Sequence, residues 1–133
     1  MTARPTRDDA GVVTVWASVV VAGCILMVGL VHDGGTVLRR RAEAFDLAGA
    51  AARAGAQELD DAALTEGDVV IDDTAARRAV ATYLATHDST GLAAVTDLDV
   101  TVTVTDTVGL RFLGPVQVTV SETATARAAR GAP

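Results

Sequence analysis

Residues 12–31 read VVTVWASVVVAGCILMVGLV, twenty positions without a charge. A helix rises about 1.5 Å per residue, so this run matches the roughly 30 Å hydrocarbon core of a bilayer. It reads as one transmembrane helix. A secretory signal peptide has a shorter apolar region that closes on a small-x-small cleavage site. This run passes instead into His32, Asp33, Gly34 and Gly35, which predicts a retained anchor. Trp16 stands near one edge of the run, where an indole favours the headgroup interface. Thr14, Ser18 and Ala22 recur every fourth residue and Gly29 follows seven further on, a stripe of small side chains that lets a second helix approach closely. Arg4 and Arg7 flank one side and Arg39, Arg40 and Arg41 the other, so the positive-inside rule gives a tie for orientation.

Outside the run, what remains of the 133 residues suffices for one small domain. Aromatic residues are few in the whole chain: Trp16, Phe45, Tyr83 and Phe112 are the set. A core built mostly from Ala, Val and Leu is thin, which argues against a large enzyme with a deep aromatic pocket. The 11 basic residues are all Arg and stand against 17 acids, for a net charge of −6. A nucleic-acid binder carries the opposite balance. Cys24 is the single cysteine and lies inside the apolar run, so neither a disulfide framework nor a cysteine zinc site is available.

Beyond the run, Leu38, Ala42, Phe45, Gly49, Ala52, Ala56, Leu59 and Ala63 alternate at four and three residues. This heptad period predicts a helix with an apolar seam. Most seam residues are Ala or Gly, so whatever packs there comes close, and the Ala-rich stretch favours helix except at its glycines. Gly34 and Gly35 each cost roughly 1 kcal/mol relative to Ala; a continuous or gently kinked helix through them is expected. Asp72, Asp73 and Thr74 offer capping oxygens before a helix over about 75–86. Leu98, Val100, Val102 and Val104 alternate with Asp99, Thr101, Thr103 and Thr105, and Val116, Val118 and Val120 repeat the pattern. Two half-buried antiparallel strands follow. The connector over 107–115 holds Leu110, Phe112 and Leu113. It is expected to tuck beneath the sheet, ahead of touching lipid or meeting a partner.

The inventory of reactive groups is poor. His87, Asp88 and Ser89 have the residue types of a hydrolase triad, but consecutive residues cannot form a nucleophile–base–orienter relay, and turn chemistry accounts for them. Asp68, Asp72 and Asp73 lack the order of a calcium loop, and no phosphate-binding or dinucleotide motif occurs. His32 and Asp33 have the residue types of a proton-sensitive pair at the membrane edge, although interfacial location is the simpler explanation. No catalytic, cofactor or metal site is therefore assigned. A structural or interaction protein is expected.

The order of a charged tail ending in Gly11, an apolar helix, Val31-His32-Asp33-Gly34-Gly35, the arginines 39–41 and the Ala/Gly-rich residues 48–56 resembles the TadE/TadG-like proteins. The alternating Val/Thr strands and the ending Thr123-Ala124-Thr125-Ala126-Arg127-Ala128 are similar to short actinobacterial members. The resemblance implies a membrane-anchored component of Flp-type (tight adherence) type IV pilus assembly or secretion, pseudopilin-like, with its N-terminus cytoplasmic and the remainder extracytoplasmic. TadE-like members can be cut by a prepilin peptidase after a glycine with Glu at the fifth position beyond. The matching site here is Gly11 before Val12, and Trp16 stands at the fifth position, which favours an uncleaved, TadG-like anchor.

The expected architecture is α+β: a cytoplasmic tail over 1–11, a single-pass transmembrane helix over 12–31 and a juxtamembrane Ala-rich helix over 32–64. An extracytoplasmic head over 65–127, with a short helix and an antiparallel sheet, and a flexible tail over 128–133 complete it. The expected partners are membrane lipid, other pilus-assembly or secretion membrane proteins and a second copy of the chain, with no nucleic acid. The competing reading is a membrane-tethered ligand-binding or sensory module unrelated to pili.

Overall fold

The computed structural model describes residues 7–129, with side chains described from Gly11 onward. Of the expected tails, positions 1–6 and 130–133 lie outside the described residues. The chain is α+β. One helix, α1, runs over Arg7–Ala56, and two shorter ones follow, α2 over Asp61–Glu66 and α3 over Asp73–Ala85. The strands β1 (Thr90–Thr96), β2 (Asp99–Gly109) and β3 (Gln117–Arg127) form an antiparallel meander in the order β1-β2-β3. At 1.5 Å per residue, the 50 residues of α1 span about 75 Å, more than twice a hydrocarbon core. Helix geometry alone therefore puts the far half of α1 elsewhere, and that half carries the head.

The helix passes through Gly34 and Gly35 unbroken. Favourable stretches on both sides offset the glycine penalty through the cooperativity of helix propagation. The Thr36 hydroxyl also donates to the His32 carbonyl at 3.0 Å across this turn. The helix ends at Ala56, short of the expected 64. There the chain turns so that Leu59 bridges Ile71, Asp60 N–H donates to the Val70 carbonyl, and Asp72 N–H donates to the Glu58 carbonyl. Asp60 then caps α2, accepting from the amides of Ala62 and Ala63 at 2.8 and 3.1 Å. Gly67 closes α2 in the left-handed region at φ 89°, where glycine carries no Cβ penalty. The seam period continues through Leu59 and Ala63, but these capping contacts interrupt the helix between them.

Asp72 caps α3 through the amides of Thr74 and Ala75. Ala76, Val80 and Leu84 on one face of α3 are buried. They meet Ala44, Ala48, Ala51, Ala52 and Ala56 of α1 and Val100, Val102 and Val104 of β2 in a single core. The sheet's inner face is valine and the helix face is alanine. Small meets branched, so the axis of α1 lies close to the sheet, and each fully buried valine contributes about 1.5–3 kcal/mol. On the outer face Thr101 pairs with Thr125 and Thr103 with Thr123, hydroxyl to hydroxyl, at 2.9 Å. Ala128 is buried and its N–H donates to Leu98 at 2.8 Å, so the ordered chain reaches past β3 into the segment expected to be flexible.

Strand β1 has no counterpart in the sequence pattern, because TGLAAVT does not alternate. It forms through pairing with β2 in register from Thr90↔Thr105 to Thr96↔Asp99. Gly91 permits that pairing: a Cβ there would stand 2.6 Å from the Thr103 carbonyl oxygen. Gly55 is equally constrained, since its Cβ would lie 2.9 Å from Val80 Cγ2 and 3.1 Å from Val100 Cγ1. Replacing Gly55 by Val should therefore overpack the junction of α1, α3 and β2 and destabilise the head by about 1–3 kcal/mol. Thermal unfolding in detergent micelles checks this; an unchanged midpoint would mean that the junction yields more readily than its geometry indicates.

Candidate interaction site

Within α1 the segment from Gly11 onward is long and apolar enough to cross a membrane, and none of its most apolar 18-residue window is buried. A core helix of a soluble domain would be covered by its own fold. Val12, Trp16, Val19, Leu26 and Val31 are all exposed, and a surface of this extent needs an apolar solvent or partner. Thr14, Ser18 and Ala22 of the small-residue stripe share this exposure, and the Ser18 hydroxyl donates back to the Thr14 carbonyl at 2.8 Å. Gly29, the last member of the stripe, is buried.

The residue covering Gly29 is Phe112, from the connector between β2 and β3. A Cβ on Gly29 would lie 2.8 Å from the Phe112 Cβ. One turn further along α1, Asp33 is 2% exposed, the one buried charged or polar residue among those described. Its carboxylate accepts three consecutive backbone N–H groups: Arg111 at 3.1 Å on Oδ1, and Phe112 at 2.9 Å and Leu113 at 3.0 Å on Oδ2. The His32 imidazole meets the Phe112 ring edge-on, with centroids 5.4 Å apart. The connector thus packs on α1 and not beneath the sheet. The reason is chemical: a tight apolar loop leaves several amides unpaired, and Asp33 presents two charged oxygens at the right height to take them.

Burial acts to raise the pKa of the Asp33 carboxyl. The amides of Phe112, Arg111 and Leu113 and the field of His32 outweigh it, so the group is held below its ordinary 3.8. The clasp's stabilisation is therefore complete above the carboxylate range and is lost as pH falls through the lowered folded value. The head has a second tether higher on α1, where Arg41 reaches Glu122 of β3 at 3.9 Å.

The heptad seam divides between two environments. Ala52 and Ala56 are buried in the chain's own core, and Leu59 packs against it. Leu38 and Phe45 remain 67% and 52% exposed, with Ala42 exposed between them. Gly49 is half-buried, 3.8 Å by its built Cβ from Ala124 of β3. A helix packed against a sheet rotates its buried stripe toward Ala44, Ala48, Ala51 and Gly55, leaving the lower seam outward. His87 and Ser89, for their part, close the end of α3. The His87 Nδ1 lies 2.9 Å from the Tyr83 carbonyl, the ring stacks on Tyr83, and the Ser89 hydroxyl donates to the His87 carbonyl. Asp73 pairs with Arg77 at 2.9 Å, and Arg77 also donates to the Ala93 carbonyl, tying α3 to β1.

The sequence model of the family described as "Putative Flp pilus-assembly TadE/G-like" matches residues 11–58. The stem resembles the TadE/G-like family. The match runs from Gly11 to just past the end of α1, and so takes in the exposed apolar run, Gly29, Asp33 and the whole seam up to Ala56. It associates this TadE/G-like segment with Flp pilus assembly. The head beyond residue 58 lies outside it, and neither a curated protein nor a solved structure matches the chain.

Replacing Asp33 by Ala should free the three amides of residues 111–113 while leaving the distant core intact. Hydrogen exchange at those amides should accelerate at least tenfold, with Val100 and Val102 unaffected. In the unsubstituted protein the same acceleration should appear only on acidification below the ordinary carboxylate range. Equal protection of the loop in the variant would show that Phe112 packing alone holds it.

Proposed function

We propose that the chain is a single-pass, pseudopilin-like structural component of Flp-type pilus assembly or secretion. Residues 12–31 cross the membrane, the preceding tail lies in the cytoplasm, and the head from Asp61 onward lies outside. The observation that carries this is the coincidence of the TadE/G-like match over 11–58 with a helix whose apolar half is exposed among the described residues, apart from Gly29 beneath Phe112. The far end of that helix is built into the head, so head and anchor move as one body.

The mechanism is packing, with no bond making. Thr14, Ser18 and Ala22 offer a close-approach face within the bilayer. Leu38, Ala42 and Phe45 continue an apolar, uncovered line above it. Neighbouring pilus-assembly membrane proteins, or a second copy, use that line, whereas Ala52 and Ala56 serve the protein's own core. Trp16 in place of Glu at the fifth position after Gly11 supports an anchor that keeps its N-terminal segment and stays beside a filament.

Replacing both Leu38 and Phe45 by Glu should reduce co-purification with neighbouring assembly proteins at least tenfold while membrane extraction and head stability stay unchanged. Unaltered co-purification would remove the seam from the interface. A cysteine placed at Leu92, in a Cys24→Ser background, should react with a membrane-impermeant maleimide in intact cells. Labelling only after lysis would reverse the orientation.

A further inference from the structure

We propose that the β2–β3 loop is a second membrane element, whose Phe112 and Leu113 enter the outer boundary of the bilayer beside α1. This rests on the transmembrane reading of residues 12–31. Gly29 lies two residues inside the end of that run and Asp33 two residues beyond it, each about 3 Å along the axis. A loop whose backbone is held by Asp33 and whose Phe112 covers Gly29 therefore sits at the level where the apolar run ends.

The side chains at this level suit lipid. Phe112, Leu113 and Val116 are each about half exposed, with Phe112 at 55%, and Phe112 lies against α1 at Gly29 and His32. Phe and Leu side chains are the ones that interfacial segments bury at the headgroup–acyl boundary. Between Asp106 and Glu122, in a chain with 17 acids, the single charged side chain is Arg111. It is exposed, and its long stem lets the guanidinium reach a lipid phosphate while the carbons stay apolar.

The backbone is compatible with that level as well. Hydrocarbon tolerates no amide without an internal partner. At the loop tip, Leu110 N–H donates to Val116 at 2.9 Å, Val116 N–H to Gly114 at 2.7 Å, and Arg111, Phe112 and Leu113 donate to Asp33, which leaves the Gly114 N–H at the turn for water or a headgroup. Pro115 has no N–H to satisfy.

The test uses the full chain in phosphatidylcholine–phosphatidylglycerol vesicles. Trp16 is the only tryptophan, so a Trp16→Phe, Phe112→Trp variant reports on the loop and a Trp16→Phe, Leu92→Trp variant on an 80% exposed position of β1. Lipids brominated at acyl positions 6 and 7 should quench the loop reporter at least twofold and leave the β1 reporter bright. Aqueous acrylamide should do the reverse. A loop reporter as open to acrylamide as the β1 one, or shielded from both quenchers, overturns the proposal. The native Trp16 separates the two levels of failure. Quenching of Trp16 with an unquenched loop refutes the loop insertion alone, and an unquenched Trp16 refutes the transmembrane reading together with it. Leu113→Trp in the same background repeats the measurement at the neighbouring position.

Discussion

The close approach of an alanine face to a valine sheet is the contact on which the rest of the molecule depends. Ala48, Ala51, Ala52 and Gly55 present almost no side-chain bulk, so Val100, Val102 and Val104 pack against α1 at short range. A core so poor in aromatic residues reaches native packing density only if its elements come close. Three strands and two short helices would be marginal without the extra layer that α1 supplies. The head is therefore built on the upper half of the long helix and is not a separate bead attached to it.

This construction ties the apolar half of α1 to the head mechanically. A continuous helix has no joint at Gly34 and Gly35, and the Asp33 clasp adds a crosslink at the same height. The β2–β3 hairpin carries eleven-residue strands, long enough to pack its base on the alanine face and bring its tip down to Gly29. The Asp33 contacts hold the hairpin tip on α1, and higher up Arg41 stands 3.9 Å from Glu122.

The sequence match and the physical architecture divide the chain at nearly the same place. Residues 11–58 hold the TadE/G-like segment and also nearly all of α1. The head, which matches nothing, supplies the loop that returns to the stem. That loop is specific in chemistry: an acidless, apolar tip in an otherwise acidic chain.

What the sequence by itself determined is the set of local periodicities. Twenty uncharged residues, the Val/Thr alternation of β2 with its echo at Val116, Val118 and Val120, and the capping aspartate before α3 each act through near neighbours, and each is visible in one window. Strand β1 was not legible, because TGLAAVT is a strand only by virtue of the β2 edge it pairs with. The end of α1 was hidden for a related reason: the seam continues to Ala63, while the bonds among Glu58, Asp60, Val70 and Asp72 that stop the helix join residues ten or more apart. The partner of Asp33 lies 78–80 positions away, beyond any pattern. Tertiary structure also decided which face of the helix is inward, since Ala42 and Ala52 share one seam and are equally small. Only the placement of the sheet buries Ala52 and leaves Ala42 exposed.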